Sequence, residues 1–217
     1  MKKKILACLL ILFPIFSLGL VKADTEKNKY VIASDSSFAP FVFQDSRNQY
    51  TGIDMDLIKA IAEDQGFEIE ITNPGFDAAI NAVQSGQADG IIAGMSVTDA
   101  RKETFDFSDS YYTANTILGV KESSTISSYE DLNGKTVGVK NGTASQTFLT
   151  ENQSKYGYKI KTFSDAASMY DSLNTGSIDA VMDDEPVIKY SISQGQKLKT
   201  PIAGTPIGET AFAVKTG

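Results

Sequence analysis

The sequence contains no histidine and no tryptophan, and its single cysteine is Cys8. Cys8 lies within the first 23 residues, which we expect to be removed on export. The remaining chain therefore offers no disulfide, no thiol nucleophile, no histidine-based catalytic triad and none of the usual zinc ligands. We expect no metal, no cofactor and no catalytic residue, and we expect the hydrophobic core to supply the stability.

Residues 1–23 have the composition of an export signal. Three lysines follow the first methionine, an apolar run extends from Ile5 to Val21, and small side chains at Val21 and Ala23 suit a cleavage site. Cleavage after Ala23 places the product on the extracytoplasmic face of the membrane or in the periplasm. The alternative is an uncleaved anchor, since the apolar run approaches the length of a membrane span.

The predicted exported chain is strongly acidic. Loss of Lys2, Lys3, Lys4 and Lys22 leaves 16 basic and 27 acidic residues, a formal charge of −11. Such a surface repels nucleic acids and anionic membranes, so neither is expected as a partner.

Short β-rich runs alternate with amphipathic runs, which predicts an α/β layer architecture. The first cycle has predicted strands at 30–34, 68–71 and 89–93 and predicted helices at 53–62 and 77–85. The second has strands at 136–139, 159–163 and 178–182, and helices at 144–151 and from Ser164, an N-cap candidate, to Gly176. Gly-x-x-Asp followed by a small residue recurs at 86–90 and 176–180. Two ordinary helix-to-strand turns would also explain this similarity, but we predict two α/β lobes with a cleft between them.

Two short extended segments are the predicted connections between the lobes. The first crossover is placed at 110–115 and the return at 210–214. A pair of such strands forms a hinge that bends by a few backbone torsions.

Arg101 follows a predicted buried strand, at the strand end where open α/β sheets bind ligands. Thr98 is a suitable N-cap for a helix at 99–104. The planar guanidinium matches a carboxylate with two parallel hydrogen bonds. The ordinary alternative is a surface ion pair with Asp99 or Asp106.

Several stretches, in this order and spacing, resemble the polar amino-acid-binding proteins of ABC importers (solute-binding protein family 3), and glutamine-binding proteins in particular. The matching stretches are 33–41, 51–57, 93–101, 105–112 and 137–145. The resemblance implies a type II periplasmic-binding-protein fold, with lobe 1 formed by 24–114 and 208–217 and lobe 2 by 115–207. Members of this family continue with helices that complete lobe 1, so it also implies that the C-terminal part of lobe 1 is missing, leaving apolar surface exposed.

The resemblance assigns the α-carboxylate of the ligand to Arg101, in the same loop as Gly94. Backbone N–H groups near Ser96 and at Ala144 and Ser145 would assist, the latter two at a helix start whose dipole favours an anion. A phosphate-binding loop is excluded at this place because Gly134-Lys135-Thr136 precedes the strand and lacks the first glycine of that motif.

The resemblance assigns the α-ammonium to Asp184. Three consecutive acids at 183–185 also suggest a metal site, and a solvated acidic turn is the plainer alternative for Asp183 and Glu185. We leave Asp183 as a support for Asp184 or a contact to the ligand side chain.

The same resemblance places Phe38 and Phe76, in predicted strand-to-helix loops, on either side of the ligand. Taken alone, each phenylalanine would be read as core. Asp35 and Lys140 remain for the far end of the ligand, one accepting from a side-chain amide and the other donating to it. This pairing suits glutamine or asparagine better than glutamate.

The implied function is capture of a free polar L-amino acid by hinge closure and its delivery to an ABC permease in the cytoplasmic membrane, which is either a separate protein or fused C-terminally to this domain. Glutamine is the expected ligand, with asparagine and glutamate as alternatives, and the domain is expected to be monomeric. Two other functions use the same fold: the sensing domain of a membrane receptor, and enzymes such as periplasmic dehydratases. An enzyme would need a general acid or base from Asp, Glu, Lys or Tyr.

Overall fold

The structure, a computed structural model, describes residues 28–217 as two α/β lobes. The predicted export signal at 1–23 lies outside the described residues. Within 28–217, no helix combines the length and apolar character needed to cross a bilayer.

Lobe 1 is built on a five-stranded sheet. Its elements are β1 (Lys29–Ala33), β2 (Phe43–Gln44), β3 (Tyr50–Thr51), α1 (Ile53–Gln65), β4 (Glu68–Thr72), α2 (Phe76–Gln84), β5 (Gly90–Ile91), α3 (Asp99–Lys102), β6 (Phe105–Phe107) and, from the end of the chain, β13 (Ala213–Lys215). The strand order is β4-β1-β5-β13-β6, and β2 pairs separately with β3. β1 is parallel to β4 and β5, whereas β13 is antiparallel to β5 and β6.

Lobe 2 is built on a six-stranded sheet. Its elements are β7 (Tyr112–Lys121), β8 (Thr136–Lys140), α4 (Ala144–Tyr156), β9 (Lys159–Phe163), α5 (Ala166–Thr175), β10 (Ala180–Asp184), α6 (Glu185–Ser193), β11 (Leu198–Lys199) and β12 (Thr205–Thr210), with a 3-10 turn at Glu130–Leu132. The strand order is β11-β7-β10-β8-β9, and β12 pairs with β7. β8 is parallel to β9 and β10, and β7 is antiparallel to β10.

The two lobes are joined by β7 and β12, which run antiparallel side by side. Their pairing extends from Tyr112 opposite Thr210 to Thr116 opposite Thr205. The register shifts between Pro206 and Gly208. Both chain connections therefore cross at one place, which is the geometry of a two-strand hinge. The return predicted at 210–214 is wrong in position, because the returning strand is β12 and Ala213–Lys215 already pair within the lobe 1 sheet.

The predicted helices are present, with longer or shorter ends. α1 begins at Ile53 and ends at Gly66, whose φ of 73° is the left-handed C-cap conformation that glycine adopts readily. α4 begins at Ala144 as predicted but continues to Tyr156, where Gly157 forms a similar cap. α3, predicted at 99–104, is a single turn.

The predicted start of α5 is wrong by one residue. The N-cap is Asp165, not Ser164, because the Asp165 carboxylate accepts a hydrogen bond of 2.8 Å from the Ser168 backbone N–H. Ser164 instead donates its hydroxyl to the same carboxylate. An ionised carboxylate is the better acceptor at a helix N-terminus.

Two further differences concern strands and the acidic run. Only Gly90–Ile91 of the predicted strand 89–93 pairs as a strand, although the buried chain continues into the cleft. The strand predicted at 178–182 begins at Ala180 and reaches Asp184. α6 follows at once, with proline in its first turn, so the acids that suggested a turn lie at a strand-to-helix junction.

Each lobe has its own core, and α6 of lobe 2 also reaches lobe 1. Val187, 3% exposed, packs in a lobe 1 cluster with Phe38, Phe41 and Met55. The lobes are therefore in apolar contact as well as covalently joined.

Lobe 1 also carries an open groove of about 620 Å³ between α1 and the strands β1 and β13. Its apolar lining includes Tyr30, Ile58, Ile61 and Phe212, and Ile61 is 37% exposed.

Candidate functional site

The cleft between the lobes gathers most of the residues singled out in the sequence. Its lining is Phe38, Phe76, Ala93, Gly94, Ser96, Arg101, Lys140, Thr143, Ala144 and Asp184. Asp35 and Ser145 are buried directly behind this lining, where they contact Lys140 and Asp184. The carboxyl ends of β1, β8 and β10 all meet here, as expected of a ligand site in open α/β sheets.

Arg101 reaches into the cleft from α3. The predicted cap is present, since the Thr98 hydroxyl accepts from the Arg101 backbone N–H at 3.3 Å. The guanidinium donates to the Ser96 carbonyl at 2.6 Å and, across the cleft, to the Gly142 carbonyl at 3.0 Å. It also lies 5.3 Å from the centre of the Phe76 ring. The Arg101 guanidinium is thus held at the boundary between the lobes.

The alternative of a surface ion pair is wrong. Asp99 pairs instead with Lys102, at 3.4 Å, and within residues 28–217 Arg101 forms no ion pair with Asp99 or Asp106. Burial lowers the pKa of Arg101 to about 10, while the charge of Asp184 acts in the opposite direction. The guanidinium therefore remains protonated at neutral pH, desolvated and available to an anion.

The start of α4 faces Arg101 from lobe 2. Thr143 is its N-cap, with its hydroxyl accepting from the Gln146 N–H at 3.1 Å. The first N–H groups of a helix have no partner within that helix, so those of Ala144 and Ser145 are oriented as donors at its N-terminus. The cleft therefore presents a guanidinium and a helix N-terminus to the same region.

β10 supplies the acidic group of the cleft. Asp183 and Asp184 are 4% and 8% exposed, so the interpretation of Asp183 as part of a solvated turn is wrong. The Asp184 carboxylate accepts from the Ser145 hydroxyl at 3.2 Å. Burial raises the pKa of Asp184 to about 7, and the neighbouring Asp183 adds to the rise.

Asp183 and Glu185 have other partners. The Asp183 carboxylate accepts from the Tyr170 hydroxyl at 3.1 Å and from the Asp184 backbone N–H at 2.9 Å. Glu185 opens α6 and accepts from the Asn115 side chain on β7 at 2.8 Å. Asp183 therefore supports Asp184, whereas Glu185 is bonded to β7.

Asp35 and Lys140 form a buried pair across the cleft. The Asp35 carboxylate accepts from the Ser36 and Ser37 backbone N–H groups at 2.7 and 3.3 Å, and its second oxygen accepts from Lys140 Nζ. Asp35 is fully buried and Lys140 is 3% exposed. Lys140 Nζ lies 4.7 Å from the centre of the Phe38 ring, so an ammonium occupies the aromatic end of the cleft.

The two phenylalanines face this ammonium from different elements. Phe76 is the first residue of α2 and not a loop residue as predicted, because the chain turns helical directly after Gly75. Its ring centre lies 5.7 Å from Lys140 Nζ. Phe38 lies in a tight loop closed by its bridge to Val42.

Among residues 28–217, the polar contacts that cross the cleft include Lys140 to Asp35, Arg101 to Gly142, and the Ala166 N–H to the Ser37 hydroxyl at 3.3 Å. Together with the packing of Val187 they define a closed cleft.

Sequence reasoning missed several residues that shape the site. Thr143 could have been found from the sequence, since a threonine directly before a predicted helix is an N-cap candidate. Thr116 could not have been found in this way. It lies on β7, distant in sequence from α4, and its hydroxyl lies 2.8 Å from the Ser145 hydroxyl. Among residues 28–217, no group of three or more His, Cys, Asp or Glu side chains is arranged to hold a metal ion.

Comparison with known proteins gives the family. The family model of the bacterial extracellular solute-binding proteins, family 3, matches residues 30–145. The chain is 34% identical over 160 residues to the arginine-binding extracellular protein ArtP of Bacillus subtilis, a match covering 74% of this chain and 62% of ArtP. The chain thus spans less than two thirds of the length of this relative.

Three solved structures show how the lobes are arranged. The second substrate-binding domain of a putative amino acid ABC transporter from Streptococcus pneumoniae is 90% identical, covering 87% of this chain and 86% of that one, with a TM-score of 0.59. The substrate-binding domain 2 of Lactococcus lactis GlnP in its open conformation is 55% identical, covering 88% and 83%, with a TM-score of 0.60. An ancestral arginine-binding protein bound to arginine is only 35% identical, covering 88% and 86%, yet its TM-score is 0.82.

Overall similarity is therefore greater to a ligand-bound relative than to an open one of higher identity, in agreement with the contacts across the cleft. The predicted type II periplasmic-binding-protein fold is confirmed. The chain belongs to the bacterial extracellular solute-binding proteins, family 3.

Proposed function

We propose that this domain captures a free polar L-amino acid between its lobes, with glutamine preferred, and delivers it to an ABC permease in the cytoplasmic membrane. The observation that carries the proposal is the convergence of two sets of opposite charges in one closed cleft. Arg101 and Asp184 form the first set, and Lys140 and Asp35 the second. A polar amino acid has a carboxylate for Arg101, an ammonium for Asp184, and a polar side chain for Lys140 and Asp35.

The first set suits the zwitterionic end of an amino acid. Arg101 donates to two backbone carbonyls, and a carboxylate would replace these with stronger charge-assisted bonds in bidentate geometry. The N-terminus of α4 adds donors on the other side. Asp184, whose pKa burial raises to about 7, is stabilised as a carboxylate by an ammonium placed beside it.

The second set favours a neutral amide at the far end of the ligand. The similar proteins include arginine-binding ones, and an ancestral arginine-binding protein has also been solved bound to glutamine. In this chain Lys140 already compensates Asp35 between the two phenylalanine rings. A cationic ligand side chain would meet Lys140 at close range, whereas an amide can donate to Asp35 and accept from Lys140.

The permease and the extracytoplasmic location are proposed on the family's name and on the transporter named for the 90% identical domain. Delivery would be tested by ATP hydrolysis of the cognate permease complex in liposomes, with the purified domain supplied with and without glutamine. Stimulation only when both are present supports delivery. Equal rates with and without the domain contradict it.

Ligand identity is tested by isothermal titration of the protein against the twenty amino acids at neutral pH. We expect glutamine to bind most tightly, asparagine and glutamate more weakly by about tenfold or more, and arginine more weakly still, because an unsatisfied buried polar group or a like charge costs on the order of 1–3 kcal/mol. Tighter binding of arginine or histidine would refute the preference for glutamine. A protein that binds none of the twenty refutes the amino-acid proposal itself.

A further inference from the structure

Asp54 is a buried acid that takes no part in the binding scheme above. It is the second residue of α1 and is fully buried. Among residues 28–217 it forms no ion pair, and its carboxylate accepts only two hydrogen bonds. One comes from the Gly94 backbone N–H at 2.7 Å and the other from the Tyr111 hydroxyl at 2.9 Å. A buried charge without a cation is costly, so its retention calls for a physical reason.

The bond to Gly94 fixes the wall of the ligand cleft. Gly94 has a φ of +57°, and a Cβ atom placed on it would lie 2.0 Å from a ring carbon of Phe38. The Phe38 ring therefore rests directly on the Gly94 backbone, and its face lies 4.7 Å from Lys140 Nζ. The position of the Gly94 peptide thus sets the position of an aromatic wall of the cleft.

The bond to Tyr111 connects the same carboxylate to the hinge. Tyr111 immediately precedes β7, and its backbone N–H donates to the Thr210 carbonyl at the end of β12 at 3.0 Å. It therefore stands where both hinge strands enter lobe 1. The Asp54 carboxylate is consequently bonded both to the cleft wall, at Gly94, and to the start of the hinge, at Tyr111.

The start of α1 gives Asp54 a fixed base. The Ile53 and Asp54 N–H groups donate to the Pro40 and Phe41 carbonyls at 3.1 and 2.9 Å. A side chain at Gly52 would clash with the same loop, with Cβ at 2.4 Å from the Phe41 oxygen. The start of the helix is therefore joined to the Phe38–Val42 loop by backbone hydrogen bonds, and the Asp54 side chain extends from this fixed base.

We propose that Asp54 is a positioning residue for ligand binding: through Gly94 and Tyr111 it holds the Phe38 wall of the cleft in a fixed relation to the hinge, without touching the ligand. This rests on the proposed function for its ligand, but its geometry can be tested separately. Burial raises the pKa of Asp54 to about 6, the bonds from Tyr111 and Gly94 lower it, and the charge of Asp35 raises it further. Its ionisation can therefore be followed in an accessible pH range.

The first measurement is affinity for L-glutamine by isothermal titration, with melting temperature measured in parallel. We expect Asp54→Ala to bind about tenfold more weakly or worse, because two hydrogen bonds to a buried charge are lost. Asp54→Asn keeps one acceptor and should recover part of the loss, and Tyr111→Phe, which deletes only the hinge-side bond, should show a smaller loss. Asp56→Asn, on the exposed face of the same helix, is the control and should match the wild type.

The second measurement follows the Gly94 amide by proton–nitrogen NMR. In the wild type its proton should appear at low field and titrate with a midpoint near pH 6, where Asp54 protonates. The titration should vanish in Asp54→Asn and persist in Asp56→Asn. The Phe38 ring resonances should shift in Asp54→Asn only.

These outcomes separate the alternatives. A role confined to stability would lower the melting temperature of Asp54→Ala and leave the glutamine affinity of the folded protein within twofold of the wild type, which overturns the proposal. A Gly94 amide resonance that is the same in Asp54→Asn as in the wild type overturns it as well. If Asp54→Ala does not fold, Asp54→Asn and Tyr111→Phe still decide the affinity question. A wild type that binds no amino acid refutes the proposed function, while the Gly94 titration and the Phe38 shifts still decide whether Asp54 positions the cleft.

Discussion

Among single residues, Arg101 is the group whose loss should cost the most affinity. Removing one partner of a buried charged contact costs about 2–5 kcal/mol, so we expect Arg101→Ala to weaken glutamine binding roughly 30-fold to several-thousand-fold. Arg101→Lys should lose much of this too, since a lysine cannot reproduce the bidentate geometry. The measurement is isothermal titration, with melting temperature as the test of folding.

Lys102→Ala is the matched control for Arg101, since its side chain is 58% exposed on the same helix turn and pairs only with Asp99. It should bind glutamine like the wild type. Unchanged affinity in a folded Arg101→Ala protein would remove Arg101 from the site and, with it, the assignment of the α-carboxylate.

Under the proposed function, we expect Lys140 to select which ligand side chains the cleft accepts. Replacing it by methionine removes the ammonium between the phenylalanine rings and leaves Asp35 buried without its cation. We expect Lys140→Met to lose about tenfold or more in glutamine affinity and to gain affinity for arginine, whose guanidinium can pair with Asp35. Lys161→Met, on the exposed face of the adjacent strand, should change neither. A variant that still rejects arginine would show that selectivity lies elsewhere.

Asp184 gives binding a definite pH dependence. Burial raises its pKa to about 7, and Asp183 raises it further, while Lys140, Ser145 and Arg101 lower it. An ammonium ligand pairs with the ionised form only, so the affinity should fall toward tenfold per unit as the pH drops below about 7, and proton release should accompany binding at neutral pH. Titration in two buffers of different ionisation enthalpy measures the released protons. Asp184→Asn should abolish the release, and equal heats in both buffers would refute it.

At the scale of single residues, a local pattern predicted the Thr98 cap of the helix turn that carries Arg101. Lys140 and Asp184 are the last residues of β8 and β10, and the structure brings both to one cleft with Arg101. The sequence could not predict that Lys140 and Asp35, 105 residues apart, form a pair, because a contact between lobes depends on their relative orientation. The same reason applies to Thr116 on β7, whose contact with Ser145 on α4 depends on how the chain folds.

At the level of secondary-structure elements, most helix starts could be predicted, as at Ile53 and Ala144, whereas helix ends were less accurate, since α4 was predicted to end at 151 and continues to Tyr156. Gly66, Gly157 and Gly176 end their helices in the left-handed conformation that glycine favours. Where a helix starts depends on which of two adjacent polar side chains accepts a hydrogen bond from the first turn of that helix. For α5 the sequence offers both Ser164 and Asp165, and only the structure shows that Asp165 accepts from the Ser168 N–H.

This difference can be tested directly on α5. Asp165→Ala removes the side chain that caps the helix and should lower the free energy of unfolding by about 1 kcal/mol. Ser164→Ala, one residue earlier, is the matched control and should cost only a few tenths of that value, because its hydroxyl bonds the cap and not the helix. Denaturant unfolding of both variants gives the comparison. Equal losses, or a larger loss at position 164, would restore Ser164 as the N-cap.

For the whole molecule, the two-lobed fold could be predicted from alternating strands and helices, but the closed arrangement could not. Closure depends on contacts that appear only when the lobes meet, such as Val187 of α6 against the Phe38 cluster of lobe 1. The comparison with solved structures reflects the same point, since lobe orientation outweighs sequence identity in the similarity. Each lobe's fold is determined within that lobe, whereas an open or closed cleft depends on how the two lobes contact each other.

Ligand should shift this state toward closure. Phe38, Phe76 and Arg101 belong to lobe 1 and Lys140 and Asp184 to lobe 2, so only a closed cleft offers a ligand both sets of contacts. A ligand shifts an equilibrium only by its difference in affinity for the two states, and we expect this difference to favour the closed state. Small-angle scattering should therefore show a smaller radius of gyration with glutamine than without.

Spin labels give a sharper measurement of the same closure. The described residues contain no cysteine, so single cysteines introduced at Glu63 on α1 and Glu151 on α4, both exposed, can be labelled without side reactions. Glutamine should narrow the distance distribution between the labels and move it to one value. The same pair combined with Arg101→Ala should stay broad at glutamine concentrations that saturate the wild type, because the contact that bridges the lobes is lost. Binding confirmed by titration with no change in the distribution would contradict the hinge formed by β7 and β12.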